Sequence, residues 1–119
     1  MSSHVITCNE YLRKYVEQFN PNVTVVFTAL DTTKFNQRYE DPKKKHLTLG
    51  WIGSHSTAKY LKSLIPILED LGKRYKYEFL TVGAGQKIEI PGVKVINRPW
   101  TLEKDVSNFH EIDIGVYPL

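Results

Sequence analysis

Apolar positions along this chain follow two alternating rhythms. Short runs rich in β-branched residues occupy His4–Cys8, Val23–Ala29, Leu47–Ile52, Tyr77–Val82, Val93–Asn97 and Asp113–Leu119. Each has the length and composition of a strand. Between them, apolar residues recur at helical spacing. Leu12, Val16 and Phe19 line one face of a first helix, opposite Arg13, Lys14 and Glu17. Asn9 is placed to cap it, and Asn20-Pro21-Asn22 stops it. Tyr60, Leu61, Leu64, Ile65, Leu68 and Leu71 predict one long amphipathic helix, with Pro66 inside it as a kink. Gly72, Lys73 and Arg74 suit its C-terminus. Thr101 predicts the cap of a third helix, whose inward face is Leu102, Val106 and Phe109.

The resulting order is β-α-β, a linker, then β-α-β-β-α-β. Strands alternating with amphipathic helices predict an α/β fold: a Rossmann-like, mostly parallel sheet with helices on both faces. Residues 1–35 form a strand-helix-strand segment, 36–46 a polar linker, and 47–119 a Rossmann-like half domain. The segment Gln86–Ile90 is too short for a full helix. It either crosses as a loop between parallel strands or joins strands that are locally antiparallel.

Composition narrows the picture little. With 119 residues and 41% hydrophobic content, the chain holds one modest core. Sixteen basic and thirteen acidic residues leave a net charge of +3, spread along the chain rather than clustered, so nucleic acid is not an expected partner. The run Lys43-Lys44-Lys45 follows Pro42 and reads as solvated linker. Cys8 is the only cysteine. Its apolar neighbours predict a small buried hydrophobe rather than a reactive thiol. Met1-Ser-Ser-His4 has neither a basic nor an apolar region of a signal peptide, and no apolar run is long enough to cross a membrane. The expected location is therefore cytoplasmic.

In open α/β sheets ligands gather at the carboxyl ends of the strands. Those ends are Gly53-Ser54-His55, Gly83-Ala84-Gly85, Arg98-Pro99-Trp100 and Tyr117-Pro118. Small residues let a phosphate or sugar approach the main chain. Arg98 can pair with a phosphate, Trp100 can flank a base, and Lys59 can swing toward the same anion from the helix that follows. Each residue also has a structural reading: turn geometry for the glycines, a surface ion pair for Arg98, a plug at the sheet edge for Trp100, solvation for Lys59. The full dinucleotide fingerprint and the phosphate loop are absent, as are a Gly-x-Ser-x-Gly elbow and metal-ligand spacing. No metal or resident cofactor is expected.

Three segments together resemble a family. His4-Val-Ile-Thr-Cys-Asn-Glu-Tyr-Leu12 with its helix, followed by Val23 to Phe35, is similar to the end of the N-terminal domain of retaining glycosyltransferases with the GT-B fold, of the large group 1/family 4 type. Gly50-Trp-Ile-Gly-Ser-His-Ser-Thr-Ala-Lys-Tyr-Leu61 resembles the first strand, loop and helix of that family's C-terminal domain. Leu80 to Gly85, Val95 to Trp100 and Asp113 to Leu119 match its later strands in order.

The resemblance implies a donor site for a nucleotide sugar such as a UDP-, GDP- or ADP-sugar, held by Gly53, Ser54, His55, Lys59, Gly83, Gly85, Arg98, Trp100 and Pro118. Lys59 fills the family's diphosphate-binding Lys position, Ser54 replaces its Arg, and Asp31 is retained in the passage between domains. The family's paired glutamates would lie beyond Leu119. The resemblance therefore implies a fragment, inactive alone, with no catalytic residue of its own. The parent reaction would transfer a sugar, with retention, to a glycan or a lipid-linked acceptor, the latter at the cytoplasmic face of a membrane. An uncovered edge at Ile112–Leu119 would favour self-association. Two rival readings use the same edge: a non-enzymatic flavodoxin-like module that binds a nucleotide or a protein, and an NAD-type domain, which the missing fingerprint disfavours.

Overall fold

The structure is a computed structural model that describes residues 2–36 and 46–118. It divides into two units, residues 1–36 and 37–119. The linker predicted at 36–46, with its lysine run, lies almost wholly outside the described residues.

In the first unit, β1 (Val5–Thr7) and β2 (Val23–Val25) pair in parallel, in register Val5 to Val23. Helix α1 (Glu10–Val16) joins them. Its Asn9 cap forms as expected, the side chain accepting the Leu12 N–H at 2.8 Å. Strand β2 is shorter than predicted. After Val25 only the Val26 N–H continues to the Thr7 carbonyl, at 2.8 Å, and Phe27 is exposed. The predicted apolar face of α1 is uncovered as well, with Leu12 and Phe19 exposed. Cys8 is exposed, not buried. The reason is that the pair of strands is too small to cover either face, so apolar neighbours in sequence create no interior. Asp31 closes a turn, accepting from the Thr33 N–H (3.0 Å) and hydroxyl (2.6 Å). Those bonds hold its carboxyl below the usual carboxylate range.

The second unit carries the core. Strands β3 (Leu47–Ile52), β4 (Tyr77–Val82), β5 (Lys94–Arg98) and β6 (Ile114–Gly115) form one sheet in the order β5-β4-β3-β6, and every pair is parallel. Alternation then sorts the side chains. Leu49, Trp51, Tyr77 and Phe79 face a buried cluster with Ala58, Leu61 and Leu68 of the helices that follow β3. Gly50 lies on the opposite face. A Cβ there would collide with the side chain of Ile112, which follows α4 (Asp105–Glu111), so α4 closes down over glycine. Helices therefore cover both faces, as a Rossmann-like α/β sheet requires.

The helix expected from Tyr60 to Leu71 is two helices, α2 (Ala58–Ser63) and α3 (Ile65–Arg74). Pro66 sits in the first turn of α3, where its missing N–H has no intrahelical role. It starts a helix instead of bending one. Of the two connections open for Gln86–Ile90, the loop is the one that forms, since β4 and β5 are parallel. That loop inserts Ile88 and Ile90 into the core.

The predicted inward face of the third helix is corrected. Leu102 lies in a separate 3-10 turn (Leu102–Lys104), which shifts the phase of the spacing. Leu102 and Phe109 are about half exposed, and buried Asn108 faces inward. The last strand is also shorter than Asp113–Leu119. Among the described residues, Ile114 and Gly115 pair with β3 at Leu49 and Gly50, and the flanking Asp113 and Val116 N–H groups donate to the Thr48 and Gly50 carbonyls at 2.9 and 2.8 Å. Among the described residues, no helix is long and apolar enough to cross a membrane.

Candidate functional site

The sheet order makes the carboxyl end of β3 a special place. From β3 to β5 each new strand is added on one side, and β6 returns to the other side of β3. Neighbouring loops diverge at such a reversal and leave a crevice. The loops after β3 and β4 lie beside it.

Backbone hydrogen bonds carry the sheet past its last paired residues. The Gly53 N–H donates to the Val82 carbonyl, and the Gly83 N–H to the Arg98 carbonyl, each at 3.0 Å. This draws the two glycine loops together. Gly83 has φ +80°, and any side chain on it would run into the Gly53 carbonyl and meet the Trp100 Cβ at 3.3 Å. Gly85 has φ +67°, and a Cβ there would lie 2.7 Å from the His55 Cβ. Only glycine combines this backbone with this packing. Gly53, His55, Gly83, Gly85 and Trp100 therefore form one contiguous cluster.

The remaining predicted residues are placed differently. The Ser54 N–H donates to Thr57 Oγ1 at 3.2 Å, and the Thr57 hydroxyl donates back to the Ser54 carbonyl at 3.0 Å. The first amide of this loop is thus occupied by the chain itself. Lys59, in the first turn of α2, holds its ammonium 4.9 Å from the centroid of the Tyr60 ring, a cation–π geometry. Arg98 turns to α4. Its Nη1 and Nη2 donate to the two Glu111 oxygens at 2.7 and 2.8 Å, and Nη1 also reaches Asn108 Oδ1 at 3.2 Å. The bonds to Glu111 raise the Arg98 pKa. The Trp100 indole N–H donates to Asp105 Oδ1 at 3.0 Å, and the ring is half exposed. Pro118, beyond β6, is half-buried.

Other residues at this end were not singled out from the sequence. Thr81 and Asn97 are paired neighbours on β4 and β5. Asn97 fixes the loop between those strands: its Oδ1 accepts the Ile88 N–H at 2.8 Å, and its Nδ2 donates to the Ile88 carbonyl at 3.0 Å. Alternation in Val93–Asn97 was the available signal, since it puts Asn97 on the same face as Val95. Beside these residues lies a hollow of about 310 Å³, lined by Thr81, Ala84, Gly85, Gln86 and Pro99 among others. A second hollow, about 490 Å³ and largely apolar, lies under α4 against Gly50, Ile52, Phe109 and Ile112.

Chemically, the cluster offers main-chain access and an aromatic face. No group of three or more His, Cys, Asp or Glu residues that could hold a metal ion occurs among the described residues. Comparison with protein-family models, with curated proteins and with solved structures finds no match for this chain.

Proposed function

We propose that the second unit is the donor-nucleotide half of a glycosyltransferase, one that binds a nucleoside diphosphate sugar at the carboxyl ends of β3, β4 and β5. The observation that carries this reading is the packing of the Gly53 and Gly83 loops against each other beside the strand-order reversal, with the half-exposed Trp100 ring at their edge. The glycines admit a bulky polar ligand to the main chain, and the indole offers a face for a base. Lys59 supplies the charge for the diphosphate by leaving the Tyr60 ring. Arg98 stays with Glu111 and holds α4 in place. The glycan or lipid-linked acceptor is held by parts of the parent protein that close over the donor.

A second reading has an observation of its own. Arg98 is neutralised by Glu111, and Ser54 carries no charge, which leaves the cluster only weakly cationic. That favours a flavodoxin-like binding module with no transferase chemistry. Titration of the chain with UDP, GDP, ADP and NAD, followed by thermal unfolding, separates the two. The transferase reading expects stabilisation by one nucleoside diphosphate, rising as RT ln(1 + [L]/Kd). It also expects Lys59→Ala to weaken that response about ten-fold, the loss of one charge-assisted contact. A response to NAD alone, or to none of the four, overturns it.

A further inference from the structure

We propose that the hollow between residues 84–87 and the end of β5 is an oxyanion site that takes a phosphate group, with Thr81 at its floor. This inference does not depend on the transferase reading.

It starts from a polar group that folding has buried. Thr81 is 1% exposed, and its Oγ1 has no hydrogen-bond partner among the described residues. A buried hydroxyl with nothing to bond is destabilising unless a ligand supplies the partner. Thr81 is one of the residues that line the 310 Å³ hollow.

The second observation concerns the main chain. Ala84, Gly85 and Gln86 line the same hollow, and their backbone N–H groups have no acceptor among the described residues. Their neighbours do. The Gly83 N–H is held by the Arg98 carbonyl, and the Ile88 N–H by Asn97 Oδ1. Gly83 and Gly85 both have positive φ, while Ala84 between them does not. Alternation of this kind curls successive N–H groups into a concave, anion-binding array.

The unsatisfied groups lining the hollow include three main-chain donors and the Thr81 hydroxyl, which can act as a fourth. The complement is a compact group with several acceptors, which is what phosphate provides. Both ends of the Asn97 amide hold Ile88. It keeps the loop in shape. Lys87 also lines the hollow, and its ammonium rests on Glu89 at 2.5 Å. An arriving anion would compete for it.

The loop after β3 offers less. Its Ser54 N–H is already held by Thr57, and α2 is only one short helix of six residues. The loop after β4 is the better anion cradle.

The test is a titration of the whole chain with inorganic phosphate, read at the backbone amide resonances by NMR and set beside UDP. The expected result is saturable shifts at Ala84, Gly85 and Gln86. Thr81→Val, which keeps the side-chain shape, should weaken phosphate binding at least about ten-fold. Thr81→Ser, which keeps the hydroxyl, should stay within about three-fold of the parent. Equal affinities for phosphate and UDP identify the free phosphate group as the ligand. Tighter UDP binding at the same amides identifies the phosphate end of a nucleotide. Shifts that do not saturate, shifts confined to residues 53–57, or a Thr81→Val chain that binds as well as the parent would each overturn the proposal. Loss of UDP binding with phosphate binding kept would sink the nucleotide reading alone.

Discussion

At the scale of single residues, the site depends most on Gly83. Its backbone needs a positive φ, and the space where a side chain would stand is filled by the Gly53 carbonyl. Gly83→Ala therefore meets two costs, backbone strain and collision with main chain that is itself fixed by the Gly53 N–H bond to Val82. We expect a loss of about 2 kcal/mol or more in unfolding free energy, measured by urea denaturation. Gly92→Ala is the control. Gly92 also has positive φ, but no atom lies within 4 Å of the added Cβ, so strain alone should remain, about 1 kcal/mol. Equal losses at the two positions would show that the packing of one loop against the other contributes nothing. Residues of this kind were partly legible: Gly-x-Gly after an apolar strand marks a turn, but not which carbonyl fills the space beside it. Thr81 was not legible at all. A threonine in a strand is ordinary, and only the structure shows that its hydroxyl is buried without a partner.

At the scale of elements, the chain's periodicity located β3, β4 and β5 to within a residue, because each is an apolar run with turn residues at its end. It misjudged the helices for two physical reasons. Apolar spacing continues smoothly through Leu64 and Ile65, so it cannot report that the backbone restarts there. The spacing from Leu102 to Phe109 likewise spans a change from 3-10 to α geometry. Pro66 turns the first of these into a measurable difference. Inside one continuous helix, Pro66→Ala would restore a hydrogen bond and relieve a clash, stabilising by about 3 kcal/mol. In the first turn of α3 the same change removes nothing and adds little. We expect Pro66→Ala to shift stability by no more than about 0.5 kcal/mol. The split has a use at the site, since it leaves α2 as a short independent segment, with Ala58 and Leu61 fully buried and Lys59 and Tyr60 facing out.

At the scale of the whole chain, the two units differ in what holds them together. The second contains large, fully buried side chains, among them Trp51, Leu61, Phe79 and Leu80, gathered on a four-stranded sheet with helices on both faces. The first has two strands of three residues and one helix of seven, and among its described residues only Thr7 is buried. Burial of apolar side chains is the main term that offsets the entropy of ordering a chain, and a 36-residue segment without it falls below the size at which domains fold unaided. The two units should therefore separate cleanly on cutting. A chain of residues 46–119 should keep cooperative thermal unfolding, with a Tm within about 5 °C of the full chain. A peptide of residues 2–36 should give the circular dichroism of a largely unfolded segment, because a helix of seven residues cannot sustain itself in water. If 46–119 instead lost its cooperative transition, the first unit would be part of the second unit's stability, and the loops after β3 and β4 could not be treated as a site built on one self-sufficient sheet.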